Sequence, residues 1–509
     1  MNKSPFQSHR IKLNQLSARE YILTGLILLA GALLRLRQYL TGRSLWLDEA
    51  MLALNIVNRN YSQLFQPLDY DQGAPIGFML VEKTFNLIFG RSEFSLRLFP
   101  LLIGLASLWM FYLLLKRSTS GAGFWVALTL FAFNPRLIYY SSEVKQYILD
   151  VTVTIILLLC AQPLFQQASR RAFVTLAFAG TLALWFSHPS LFILAGIGLA
   201  LFINYFQKHD FVALRSTIGM GILWLANLAF LYFLTLSELR NNSYMYAYWQ
   251  DAFAPSPPWS DLGWYLGAFQ KNMDTQFGFS YATSLIFILI LAGWIVLFMQ
   301  KRSFAIALAG ILFFTLLASS LGLYPVLERM GLFLVPIGIL LMGKSLEIPA
   351  QRLRAYPIVS TIVVFVLSGF VIYAPVTRAL EQFLTPKYFE HIRPTMGFLQ
   401  GARKEGDSFF ISNGAVPAFE FYAPMYALKN ITYTAGLRED YSNPDAILKQ
   451  IGTLESHDRV WVLISHVYEK GNFNEKDFLL SHLDQLGSKR REFREPGTSV
   501  YLYLYDLSE

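Results

Sequence analysis

One cysteine, Cys160, stands in 509 residues, so neither a disulfide nor a cysteine-based metal centre can form within a single chain. Charge is scarce too. Asp, Glu, Lys and Arg make up only 15% of the sequence, while 54% is hydrophobic and 16% aromatic; soluble domains carry about 25% charged residues. With mean hydropathy at +0.40, a soluble protein of this length would need an implausibly large core, and that class is excluded. The tail from about 379 to 509 has no Gly-rich phosphate loop or nucleophile elbow, and also missing from the chain are any low-complexity tract and any repeat of matched halves. The last absence weighs against a secondary transporter, whose folds often show paired halves. Acids are fewer than bases (34 against 42, net charge +8). The position of those bases accounts for the excess, so no nucleic-acid partner is implied.

What is present is a series of apolar runs long enough to cross about 30 Å of hydrocarbon. They lie near 21–40, 96–115, 121–140, 148–165, 172–187, 189–206, 214–236, 281–299, 303–322, 330–343 and 355–377. The fifth and sixth are separated only by the turn around His188 and Pro189. With the N-terminus inside, the inner segments collect Lys3, Arg10, Lys12, Arg19, Lys116, Arg117, Arg170, Arg171, Lys208, Arg215, Lys301, Arg302, Lys344, Arg352 and Arg354. The outer loops are poorer in Lys and Arg, as the positive-inside rule requires. Eleven spans then put the C-terminus outside. The first run lacks a small-residue cleavage site and reads as a retained signal anchor.

The expected fold is therefore an all-α polytopic membrane protein with a small C-terminal α/β domain outside. Residues 1–20 form an inner segment, 21–378 the membrane domain and 379–509 the outer domain. The outer loop 41–95 holds two apolar stretches too short to span, Leu45–Val57 and Ile76–Phe89. Both read as amphipathic helices on the outer membrane surface. A second outer loop covers 237–280. In the tail, 407–412, 431–434, 459–464 and 500–505 read as strands, with helix-length segments between them.

Chemistry concentrates on one face. Asp48 and Glu49 are adjacent acids at the outer mouth of the first span, where charge is costly unless solvated or partnered. A helix N-terminus alone would also favour them. Asp71 adds an acid on a turn. Arg35, Arg37 and Arg43 lie outside, against the orientation rule, with Arg97, Lys145, Tyr147 and Arg329 at other span ends. For each single arginine, snorkelling to headgroups is a sufficient explanation. Together with the acids they define a candidate site for an anionic ligand. His188 fits a structural residue at a span end better than a catalyst. The loop 244–259, rich in Tyr, Trp and Pro, suits either sugar stacking or an interfacial aromatic belt.

Several segments carry a resemblance: Leu45-Trp46-Leu47-Asp48-Glu49-Ala50, Asp71-Gln72-Gly73-Ala74-Pro75, Phe89–Leu98, Ser142-Glu143-Val144-Lys145-Gln146-Tyr147, Ser187-His188-Pro189 and Tyr324–Arg329. In these the chain resembles bacterial members of the protein O-mannosyltransferase superfamily, which includes the lipid A aminoarabinose transferases and has the GT-C fold. The likeness covers most of 21–345 and fades in the tail. It implies an inverting glycosyltransferase that moves a sugar from a polyprenyl-phosphate carrier to a lipid, glycan or protein acceptor outside the cytoplasm, in a bacterial inner membrane. By this resemblance Asp48 is the general base, Glu49 orients an acceptor or its neighbour, and Asp71 contacts sugar or acceptor. Gln72-Gly73-Ala74-Pro75 departs from the commoner His-Pro-Pro form, so sugar specificity does not carry over. Lys145, Tyr147 and Arg329 are the carrier-phosphate candidates, with Arg97, Glu328 and His188 grouped beside them. No cofactor is implied, and a divalent cation is left open. The competing classes are a flippase or transporter of lipid-linked sugars, a GT-C-like ligase or polymerase, and a scaffold.

Overall fold

The computed structural model describes residues 17–237, 242–279, 281–353, 355–386, 388–437, 444–454 and 458–508. Most of the expected inner segment 1–20, with Lys3, Arg10 and Lys12, lies outside these, as do Arg354 and positions 238–241 and 280 of the second outer loop.

The first ten helices in chain order are α1 (Ala18–Leu40), α2 (Leu47–Asn58), α3 (Ile76–Phe89), α4 (Glu93–Ser118), α5 (Gly121–Ala132), α6 (Pro135–Tyr140), α7 (Tyr147–Gln166), α8 (Arg170–Phe186), α9 (Ser190–Gln207) and α10 (Phe211–Leu231). Among the described residues, eight helices are long and apolar enough to cross a membrane: 93–118, 147–166, 190–207, 211–236, 283–300, 302–320, 328–352 and 357–384. The chain is a multi-pass membrane protein. Three of the eleven expected spans fall short of that standard. These are α1, the run 121–140 and α8, which at 17 residues is short. The run 121–140 is split at Asn134-Pro135, where the Asn134 side-chain Oδ1 caps α6 by accepting the Arg136 and Leu137 N–H groups.

Glycines let some of these helices approach closely. A Cβ on Gly293 would meet the Leu341 carbonyl oxygen at 1.8 Å, and one on Gly123 would meet the Gly343 oxygen at 2.1 Å. Lipid gives no hydrophobic drive between helices, so such backbone approach is how they gain packing energy. Outward faces are apolar instead, as at Val212, Phe233, Ile358 and Phe365.

After the helix 357–384 comes the C-terminal domain. Its strands are β1 (Ser408–Ile411), β2 (Thr434–Ala435), β3 (Arg459–Ile464), β4 (Glu469–Lys470), β5 (Phe473–Asn474), β6 (Ser488–Phe493) and β7 (Tyr501–Asp506). Five form one sheet in the order β2-β1-β3-β7-β6, parallel across β2-β1-β3 and antiparallel across β3-β7-β6. The α/β expectation holds. Strand β6 has no apolar alternation to betray it: Ser488-Lys489-Arg490-Arg491-Glu492-Phe493 is an exposed edge strand, and its charges discourage further pairing.

The outer loop differs from expectation in one respect. Helix α2 does not lie on an open surface, because Glu49, Ala50 and Leu52 through Ile56 are all buried. The helix Val416–Tyr422 of the C-terminal domain packs along it. Helix α3 keeps exposed apolar residues at its end, Leu87, Ile88 and Phe89.

Candidate functional site

The N-terminal turn of α2 brings Asp48 and Glu49 to opposite sides of the helix start, and their surroundings diverge. Glu49 is fully buried. Its Oε1 accepts from Arg97 Nε at 2.9 Å and from the Val144 main-chain N–H at 2.8 Å; its Oε2 accepts from Arg97 Nη2 at 2.6 Å. Arg43 Nη1 stands 3.5 Å from the same oxygen. The remaining Arg97 donors reach the carbonyl oxygens of Arg43 and Ser44, and Arg43 also donates to the Ser142 carbonyl and stacks 4.4 Å over the Tyr139 ring. Arg97, grouped from the sequence with the carrier phosphate, is instead committed to Glu49 and to main-chain oxygens. A fork-shaped guanidinium suits that two-point pairing, where Lys would not.

Asp48 is the less buried member, its side chain 16% exposed. Lys145 Nζ donates to Oδ1 at 2.9 Å, and the same ammonium donates to Gln72 Oε1 at 2.6 Å. Arg329 Nη2 lies 3.0 Å from Oδ2, yet Oδ2 accepts no well-aligned hydrogen bond among the described residues. Burial pushes the Asp48 carboxyl up, but Lys145 and Arg329 outweigh it and hold it below the usual aspartate range. It is a carboxylate at neutral pH. Arg329 in turn sits within an aromatic cage, 5.6 Å from the Trp46 ring, 6.0 Å from Tyr147 and 5.1 Å from Trp249.

Glu143, which the sequence offered only as a motif position, stands between the two acids. Its Oε1 accepts from Trp46 Nε1 at 3.3 Å, and Oε2 has no hydrogen-bond partner among the described residues. Burial, and then the Glu49 carboxylate, push it up to about 7.

The turn 69–72 supplies the next wall. Tyr70 and Asp71 both take left-handed backbone, φ 64° and 51°. This bend, uncommon for residues other than glycine, directs Gln72 to Lys145. Asp71 accepts from Asn242 Nδ2 at 2.8 Å and lines a cavity of about 270 Å3 with Gln66, Thr235, Asn242 and apolar neighbours including Leu64 and Met79.

Three expected members stand apart. Glu328 forms an exposed pair with Lys271 at 2.9 Å. His188 occupies the turn between α8 and α9 with no side-chain hydrogen bond or ion pair among the described residues. Arg35, one of the cations on the disfavoured side, donates to the Gly31, Ala132 and Phe131 carbonyls. Those last two end α5, so a helix C-terminus accounts for its charge. No group of three or more His, Cys, Asp or Glu is gathered for a metal ion among the described residues. The side chains that sequence reading missed are Glu143 and the long-range partners of 44–47 from the C-terminal domain; the first had only its place two residues before Lys145 as a signal.

This architecture, with the acids of the loop 41–95 at one end of a bundle of membrane helices, is shared with solved structures of the GT-C fold. No family model matches the chain, and no curated protein matches it. Among solved structures it is similar to ArnT from Cupriavidus metallidurans, in the apo state and bound to undecaprenyl phosphate. Each aligns at TM-score 0.52 and 13% identity over 94% of this chain and 98% of that one. It is also similar to the archaeal oligosaccharyltransferase AglB from Archaeoglobus fulgidus in complex with an inhibitory peptide and a dolichol-phosphate, at TM-score 0.50 and 11% identity over 96% of this chain and 74% of that one.

Proposed function

We propose that the chain is a membrane glycosyltransferase that moves a sugar, with inversion, from a polyprenyl-phosphate carrier to a hydroxyl of a lipid, glycan or protein acceptor. The reaction would take place on the outer face of a bacterial inner membrane, with the C-terminal domain on that side. The observation that carries the reading is the Asp48–Lys145–Arg329 cluster, with one carboxylate oxygen held by the ammonium and the other, itself buried, paired with the guanidinium without an aligned hydrogen bond. The GT-C fold and the lipid phosphates bound to ArnT and AglB support it.

In this reaction the acceptor oxygen attacks the anomeric carbon. The Asp48 carboxylate takes the hydroxyl proton, the sugar–phosphate C–O bond breaks, and its electron pair goes to the phosphate oxygen. Lys145 and Arg329 neutralise that growing charge, and Tyr147 borders the same space. An arriving phosphate competes with Asp48 for both cations. Their hold on the carboxylate weakens, so Asp48 becomes a stronger base only when the donor is bound. Glu49, locked by Arg97, Arg43 and the Val144 amide, positions its neighbour. The cavity beside Asp71 offers the acid, amide and hydroxyl groups that recognise sugar or acceptor hydroxyls.

The test is transfer from labelled polyprenyl-phosphate sugars to candidate acceptors by protein in lipid, wild type against Asp48→Asn. The substitution is expected to cut transfer by about 100- to 10,000-fold while undecaprenyl phosphate still binds. Transfer that survives unchanged removes Asp48 as the base. Sugar crossing the vesicle with no new covalent product would favour a transporter.

A further inference from the structure

The C-terminal domain reaches the start of the helix that carries Asp48. Trp46 precedes α2 and gives it no side-chain cap. The Leu47 N–H donates instead to Glu390 Oε2 at 2.7 Å, from 343 residues further along the chain. The other Glu390 oxygen lies 2.7 Å from His466 Nδ1. The approach to the helix is held by the same domain: the Ser44 N–H donates to His391 Nδ1 at 3.1 Å and the Leu45 N–H to the Tyr422 hydroxyl at 2.9 Å. Main-chain donors at 44, 45 and 47 therefore all end on C-terminal-domain side chains. Of these, the Leu47 N–H is one of the first donors of the helix, which have no partner within it.

We propose that Glu390 and His466 are positioning residues of the Asp48 centre: from the C-terminal domain they cap α2 and keep the Asp48 carboxylate between Lys145 and Arg329. This rests on the reading of Asp48 as the base. Asp48 is the second residue of the helix, so fraying of the first turn would carry its carboxylate away from both cations. Glu390 brings a negative charge to a helix N-terminus, where it is favoured, and His466 balances it. The charged groups that act on His466 are Glu390, Asp48 and Glu475. Its hydrogen bond to Glu390 raises its proton affinity against the opposing effect of burial. The sign follows. The cationic His466 is complete below the ordinary histidine range and is lost as pH rises through its raised value. A cation on that side of the site favours an incoming phosphate, so carrier binding should weaken across the same step.

The test uses the full chain in lipid nanodiscs from about pH 5.5 to about 8.5, comparing wild type with Glu390→Ala, Glu390→Gln and His466→Asn. Two quantities are read: amide exchange over residues 44–50, and undecaprenyl phosphate binding by tryptophan emission. Glu390→Ala should speed exchange at the start of α2 roughly fivefold. Glu390→Gln keeps an oxygen for the Leu47 N–H, so exchange stays slow, but the binding step, roughly threefold in size, moves to lower pH. His466→Asn should abolish the step. Exchange unchanged in Glu390→Ala, or a wild-type binding profile in both Glu390→Gln and His466→Asn, would overturn the proposal. Should Glu390→Ala not fold, the other two variants decide. Neither readout needs sugar transfer, so a wild type that caps α2 and binds the lipid without turnover would count against the glycosyltransferase reading alone.

Discussion

Asp48 and Glu49 are neighbours with the same functional group, and their settings divide the work between them. Glu49 is buried against two guanidinium groups and a main-chain amide, which makes it part of the scaffold. Removing one partner of such an arrangement leaves buried charge uncompensated. Glu49→Ala is expected to destabilise the protein by about 3–5 kcal/mol, seen as a large fall in melting temperature in detergent, whereas Asp48→Asn, which keeps an oxygen for the buried Lys145 ammonium, should lower melting less and lose transfer. Glu143 gives a pH effect of its own. Its carboxyl is raised to about 7, chiefly by burial, so folding favours its protonated form. That contribution is full below the ordinary glutamate range and is lost as pH rises through about 7. Wild-type melting temperature should therefore fall between about pH 5 and 8, and Glu143→Gln should flatten that fall. At this scale the sequence pointed to the acids and to the cations on the disfavoured side. It could not say which cation faced a ligand and which a helix end. Arg35 and Arg329 look alike in the chain, and only their partners, the α5 carbonyls for one and Asp48 for the other, separate them.

Among the elements, the apolar runs were legible because a 3.6-residue helix must cover the full hydrocarbon thickness. Their breaks were less so: the run 121–140 reads as continuous until the Asn134 cap divides it. Close crossings were invisible, since a glycine has no signature of what faces it. The Gly293 crossing carries a sharp expectation. A methyl group there would overlap the Leu341 carbonyl, so Gly293→Ala should force the helices 283–300 and 335–345 apart and lower stability by about 1–3 kcal/mol, measured by thermal unfolding. Gly369→Ala, with open space around its Cβ position, serves as the control and should have little effect. Helix α2 illustrates the opposite difficulty. Its amphipathic pattern suggested one wet face, but the helix 416–422 covers that side, and no local pattern encodes a cover that distant in sequence.

For the molecule as a whole, the proposed orientation rests on the positive-inside bias, and it yields one direct check. With Cys160 replaced by Ser, a cysteine introduced at exposed Lys470 should react with an impermeant maleimide added to intact cells or right-side-out vesicles. Labelling only after permeabilisation would reverse the topology and move the Asp48 site to the inner face. The composition by itself determined the membrane class, the loop 41–95 as the seat of the acids, and the α/β character of the tail, because hydropathy and strand periodicity are local properties. Tertiary structure alone decided that Lys145 and Arg329 meet at Asp48, that Arg97 belongs to Glu49, and that Glu390 caps the helix bearing both acids. Each of those choices pairs charges far apart in the chain, where desolvation and geometry, not sequence spacing, select the partner.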